Sequence, residues 1–124
     1  MSETVWPPLL RLLLVEDDED DAFLLRELLE EALAGREFRL EHAASFQEGL
    51  EALSAAEHDA VLCDLRLGAG SGLEIMERAR ALDALRPFII LTGQGEGVVA
   101  AEVMRKGATD YLPKAGLDAQ RLAT

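Results

Sequence analysis

The stretch Leu9-Leu10-Arg11-Leu12-Leu13-Leu14-Val15-Glu16-Asp17-Asp18-Glu19-Asp20-Asp21 decides the fold. Leu9 to Val15 reads as a buried strand, interrupted only by Arg11 near its start. It ends abruptly at Glu16, which opens a run of acids through Asp21. From about Glu19 to Ala34 apolar residues recur at helical spacing (Phe23, Leu24, Leu28, Ala32), and Gly35 is placed to end the helix. An apolar strand followed directly by an amphipathic helix is the first unit of an α/β chain.

The same alternation continues downstream. Phe38 to Ala43 alternates apolar and polar residues as a strand does, and Ser45 suits the N-cap of a second helix through Ala55, carrying Phe46, Leu50 and Leu53. Asp59 to Asp64 is a third strand, nearly all apolar between its acidic ends. A glycine-rich turn, Gly68 to Gly72, leads into a helix through Leu82 with Leu73, Met76 and Ala79 on one face. Phe88 to Leu91 is a fourth strand opened by Pro87, and the loop Gly93 to Gly97 precedes a helix from about Val98 to Lys106 that Gly107 stops. Thr109 to Leu112 makes a short fifth strand, and Asp118 begins a last helix that is cut short at Thr124. Five strands alternating with helices predict a parallel sheet with right-handed crossovers and helices on both faces. The short final helix is read as the mark of a fragment cut from a longer multidomain protein; a naturally short chain is the alternative.

A length of 124 residues suits one domain, with enough burial to fold without disulfide or structural metal. The single cysteine, Cys63, has no internal partner and is expected to pack as a small core residue. No apolar run approaches the roughly 20 residues of a membrane span, and no secretory signal opens the chain, so a cytoplasmic location is the expectation. Twenty-four acidic against 12 basic residues give a formal charge of −12, a field that repels a phosphate backbone and argues against nucleic-acid binding by this domain.

In an open parallel sheet, ligands bind beyond the carboxyl ends of the strands. The residues there are Glu16 and Asp17 after the first strand, Asp64 closing the third, Thr92 after the fourth and Lys114 after the fifth. Carboxylates forced together repel, by roughly 4 kcal/mol for two unit charges 4 Å apart at an effective dielectric near 20. A hard divalent cation such as Mg²⁺ resolves that repulsion through oxygen ligands. A carboxylate can then act as nucleophile toward a phosphoryl group, with a lysine and a hydroxyl to bind its oxygens. Blander readings apply elsewhere. Asp18 to Asp21 are expected as a solvated helix start, His42 and His58 as surface residues, and Trp6 lies before the first strand, away from the site.

The ordered set Leu13-Leu14-Val15-Glu16-Asp17-Asp18, then Asp64, Leu91-Thr92-Gly93, and Gly107-Ala108-Thr109-Asp110-Tyr111-Leu112-Pro113-Lys114, resembles response-regulator receiver domains of two-component systems. The resemblance runs from about Leu9 to Leu122. It implies a doubly wound five-stranded sheet of flavodoxin-like order 2-1-3-4-5. It also implies that Asp64 accepts a phosphoryl group from a histidine kinase or a histidine phosphotransfer protein, and that the domain catalyses its own phosphorylation and dephosphorylation while serving chiefly as a switch. Further implied roles are Asp17 as direct Mg²⁺ ligand, Glu16 acting largely through water, Asp64 and the backbone carbonyl of Arg66 as further ligands, Thr92 and Lys114 as phosphoryl-binding groups, and Tyr111 as the aromatic that changes rotamer as Thr92 moves. Arg66 and Gln94, two positions after Asp64 and Thr92, are expected to tune hydrolysis.

Three departures stand out. Ala115 follows Lys114 where receivers commonly place a proline after a cis bond, so a trans bond is expected here. Gly68-Ala69-Gly70 predicts a mobile turn after Asp64. The short last helix leaves dimerisation open. The rival reading is a receiver-like interaction module that works without phosphorylation. A haloacid-dehalogenase-type phosphatase wants an acid where Arg66 stands, and a flavodoxin-like cofactor carrier wants a phosphate-binding loop where the acidic run stands.

Overall fold

A computed structural model describes residues 8–55, 58–68, 70–82, 85–93, 100–114 and 117, with backbone alone at 100 and 101. The elements in chain order are β1 (Leu9–Val15), α1 (Glu19–Ala32), β2 (Glu37–Ala43), α2 (Phe46–Ser54), β3 (Ala60–Asp64), β4 (Arg66–Leu67), β5 (Gly70–Ser71), α3 (Gly72–Leu82), β6 (Phe88–Thr92), α4 (Ala100–Arg105) and β7 (Asp110–Pro113). Trp6, most of the loop at 94–99, the Lys114–Ala115 bond and the last helix at 118–124 lie outside the described residues.

Five strands form one parallel sheet in the order β2-β1-β3-β6-β7. Without the two-residue β4 and β5 this is the flavodoxin-like order 2-1-3-4-5, whose direction reverses between β1 and β3. Successive side chains of a strand point to opposite faces, and the core divides accordingly. Leu13 and Val15 join Val61, Cys63 and Ile90 beneath Leu53 of α2, Ile75, Met76 and Ala79 of α3, and Val103 of α4. Leu10, Leu12 and Leu14 face the other way, against Ala22, Leu25 and Leu29 of α1. Burying a leucine or isoleucine contributes roughly 1.5–3 kcal/mol relative to leaving it exposed, so the central strands anchor both layers.

The inward stripe of α1 differs from the expected one. Ala22, Leu25 and Leu29 are buried, whereas Phe23 and Leu24 are 64% and 52% exposed. The apolar residues of this helix make two overlapping stripes, and packing under β1 selects one. Asp18 is the N-cap, its Oδ1 accepting from the amides of Asp20 at 2.9 Å and Asp21 at 3.0 Å. The helix ends at Ala32, two residues early, and Gly35 turns the chain with φ 82°. Ser45 caps α2 as expected, its Oγ accepting from Glu48 N at 3.1 Å.

The described residues on either side of Ala69 pair with each other. Arg66 pairs with Ser71 and Leu67 with Gly70 in an antiparallel ladder. Gly70 lies under the Phe46 ring, which a Cβ would approach to 2.4 Å. The two histidines are also not the partnerless surface residues expected. His58 is buried with Nε2 2.8 Å from Glu41 Oε1, and His42 is half-buried with Nε2 2.7 Å from the Glu16 carbonyl. No helix among the described residues is long and apolar enough to cross a membrane.

Candidate functional site

Four strands deliver the site. Glu16 extends β1 by one strand-like bond, its amide donating to Ala43 O at 3.0 Å. Its side chain is fully buried, and Oε2 accepts from Asp18 N at 3.2 Å. Asp17, exposed, accepts at Oδ2 from Gly68 N at 3.1 Å, so the glycine turn is tied to the acidic run. Asp64 ends β3, where Leu65 N donates to Leu91 O at 2.9 Å; it is 7% exposed, and Arg66 N makes a long 3.4 Å contact with its Oδ1. Thr92 ends β6 and is buried. Its carbonyl accepts from Lys114 N at 2.8 Å, which prolongs the β6–β7 pairing and brings the lysine to the same edge.

The Lys114 side chain crosses this edge. Nζ donates to Asp64 Oδ2 at 3.0 Å and to Asp21 Oδ2 at 2.8 Å. It also lies 2.7 Å from Glu16 Oε1, an ion pair set by charge, since that oxygen accepts no aligned hydrogen bond. Burial pushes the Glu16 carboxyl up to about 7; Lys114 opposes this and the Asp64 charge adds to it. Burial alone would lower the Lys114 ammonium, but its contacts with Asp21, Glu16 and Asp64 carry it above the ordinary lysine range. Burial, with the charges of Asp64 and Glu16, likewise holds the Cys63 thiol well above its usual value. Cys63 is fully buried, as expected of a core residue.

Glu16, Asp17 and Asp64 each offer a carboxylate oxygen, all within 4.8 Å of one another. Among the described residues, the Lys114 ammonium stands against them and Asp21. An all-oxygen donor set with surplus negative charge fits a hard divalent cation such as Mg²⁺ or Ca²⁺.

Five of the residues singled out in the sequence thus meet at one edge: Glu16, Asp17, Asp64, Thr92 and Lys114. Arg66 adjoins them. Tyr111 lies farther back, opposite Ile90 in the β6–β7 register, on the face Thr92 also shares; it is half-buried against the core that includes Val103. Gln94 lies outside the described residues. The residue that sequence reasoning missed is Asp21, assigned there to a solvated helix start. Its position three residues past the Asp18 cap is the only signal, and composition does not separate it from its acidic neighbours.

A sequence profile described as a response regulator receiver domain matches residues 12–124. The chain is similar to the acid tolerance regulatory protein ActR of Sinorhizobium medicae, 40% identical over 97 residues that cover 78% of this chain and 49% of that protein. It is 41% identical over 103 residues to the photosynthetic apparatus regulatory protein RegA of Cereibacter sphaeroides, covering 83% of this chain and 54% of that one. The chain therefore spans about half the length of these relatives. Among solved structures, a response regulator receiver domain protein from Clostridium thermocellum superposes with a TM-score of 0.80 at 28% identity, over 92% of this chain and 88% of that one. A response regulator from Burkholderia pseudomallei, solved with a phosphorylated aspartic acid, calcium ion and citrate, gives 0.77 at 27% identity over 92% and 65%.

Proposed function

Because this chain belongs to the response regulator receiver domains of two-component signalling, we propose that it takes a phosphoryl group onto Asp64 from the phosphohistidine of a histidine kinase or histidine phosphotransfer protein. The observation that carries this reading is Lys114 Nζ 3.0 Å from Asp64 Oδ2, where oxygens of Glu16, Asp17 and Asp64 lie within 4.8 Å of one another. The phosphorylated aspartic acid and calcium ion of the Burkholderia pseudomallei relative agree with it.

An Asp64 carboxylate oxygen attacks phosphorus; the phosphorus–nitrogen bond breaks, and its electron pair returns to the imidazole, which leaves neutral. The product is an acyl phosphate. Asp17, Asp64 and the Arg66 carbonyl, with Glu16 acting largely through water, would hold Mg²⁺, which would supply positive charge to neutralise the phosphoryl oxygens. The Lys114 ammonium and the Thr92 hydroxyl donate to those oxygens. Thr92, drawn inward, would shift the following loop and α4 and let Tyr111 turn inward, a population shift that a partner protein or output domain reads. Water then attacks phosphorus and releases phosphate, at a rate set in part by Arg66 and Gln94. The domain would act in the cytoplasm.

The test is incubation with acetyl phosphate and Mg²⁺ followed by intact mass. One added phosphoryl group is expected, absent in Asp64→Asn and absent without metal. No adduct, and no response to beryllofluoride, would overturn the reading in favour of the phosphorylation-independent interaction module.

A further inference from the structure

Lys114 is held by more than the residues that its proposed role requires. Its ammonium has three N–H donors. Two make aligned bonds, to Asp64 Oδ2 at 3.0 Å and to Asp21 Oδ2 at 2.8 Å. Asp64 is the reacting group, and Glu16 and Asp64 are candidate cation ligands, so all the contacts of Lys114 except the one to Asp21 compete with the cation or change during reaction. Asp21 stands outside that set. Its backbone is fixed by the Asp18 cap, through the 3.0 Å bond from Asp21 N to Asp18 Oδ1. Asp21 lies in the first turn of a 14-residue helix, where the macrodipole favours negative charge.

We propose that Asp21 is a positioning residue for phosphoryl transfer. Through its bond to Nζ it keeps the Lys114 ammonium at the edge of the site when a cation and a phosphoryl group engage Glu16 and Asp64. This rests on the phosphoacceptor reading of Asp64. Without Asp21, an ammonium displaced from Glu16 and Asp64 would swing toward water and reach the phosphoryl oxygens less often. A charge-assisted bond of this kind makes a rate difference on the order of tenfold.

Two measurements test it. The first is the rate of phosphorylation by acetyl phosphate at saturating Mg²⁺ in a double-mutant cycle. Asp21→Asn is expected to slow the reaction about tenfold when Lys114 is present, and to change nothing further in a Lys114→Met background. An equal slowing in both backgrounds would mean that Asp21 acts through the metal or the fold and would overturn the proposal; so would no change, or an acceleration, in the Asp21→Asn single variant. The second is nitrogen-15 NMR of the lysine ammonium groups. The chain has two lysines, and exposed Lys106 serves as the internal reference. Asp21→Asn should speed proton exchange at Lys114 severalfold and leave Lys106 unchanged; unaltered exchange at Lys114 would overturn the proposal without any phosphorylation being needed. A wild type that takes no phosphoryl group, yet shows the NMR effect, would sink the phosphoacceptor reading and the transfer role with it, leaving Asp21 as an anchor of the lysine alone.

Discussion

The two ends of the sheet are built on opposite principles. At the amino end, a set of side chains is matched donor to acceptor with the backbone. Arg80 of α3 donates from Nε at 2.9 Å and from Nη2 at 2.7 Å to Gly107 O, and also reaches the Arg86 carbonyl and Thr109 Oγ1. Thr109 Oγ1 in turn accepts from Phe88 N at 2.9 Å, and Asp59 exchanges two bonds with the backbone of Arg11. Buried atoms without a hydrogen-bond partner also occur there, among them Arg86 Nε and Nη1 and His58 Nδ1. At the carboxyl end, one lysine faces the carboxylates of Glu16, Asp21 and Asp64, with Asp17 alongside, and Glu16 is buried at the cost of a raised pKa. One end is assembled to hold; the other is left with unbalanced charge that a cation and a phosphoryl group can relieve. Stability and responsiveness are therefore separable in this fold, by strand end.

The sharpest way to break that contrast is to damage the carboxyl end by shape rather than charge. A Cβ on Gly72 would sit 2.3 Å from the Asp64 carbonyl oxygen, a backbone atom that cannot swing aside. Gly72→Ala should cost about 3 kcal/mol in urea unfolding and slow phosphorylation as well, because Asp64 must move. Arg80→Ala should cost about 2 kcal/mol, through carbonyls left short of donors, and leave Mg²⁺ affinity and the phosphorylation rate unchanged. A loss of affinity in that variant would join the two ends and dissolve the distinction.

The smallest expected effect concerns pH. The Glu16 pKa is raised in the folded protein to about 7 from an ordinary 4.5. The native state therefore holds the extra proton between those values, and this stabilising contribution is full below about 4.5 and lost as pH rises through about 7. In metal-free protein Glu16→Gln should remove that loss, making the variant about 1 kcal/mol the more stable at pH 8 and nearly equal to wild type at pH 5. Saturating Mg²⁺ should reverse the order at pH 8, since the ion stabilises the form that binds it better. A Gln variant less stable than wild type in the absence of metal would mean that the Lys114 pair outweighs burial.

Most of the architecture was legible because the strands are apolar runs, or in β2 an alternation, and the helices are periodic, and the site because its residues close those strands. Ser45, Gly35 and Gly107 announced element boundaries through turn chemistry. What remained hidden depends on contacts far apart in the chain. Phe23 and Leu24 fit the helical period as well as Leu25 and Leu29 do, and only the position of β1 decides between the stripes. Asp21 meets Lys114 across 93 residues, His42 meets Glu16 across 26, and His58 meets Glu41 across 17. A six-acid run offers no local hint of which member turns inward. Ile75, fully buried in α3, was passed over for Leu73, which lies only partly buried at the rim.

Cys63 offers a use of its own. It is the only thiol in the chain, fully buried in the middle strand of the sheet and immediately before Asp64. A maleimide in solution cannot touch it until β3 parts from its neighbours, so the rate of alkylation clocks the opening of that strand. Followed with and without a ligand at the acidic edge, this clock needs no engineered reporter, and it registers how tightly occupation of the edge closes the centre of the molecule.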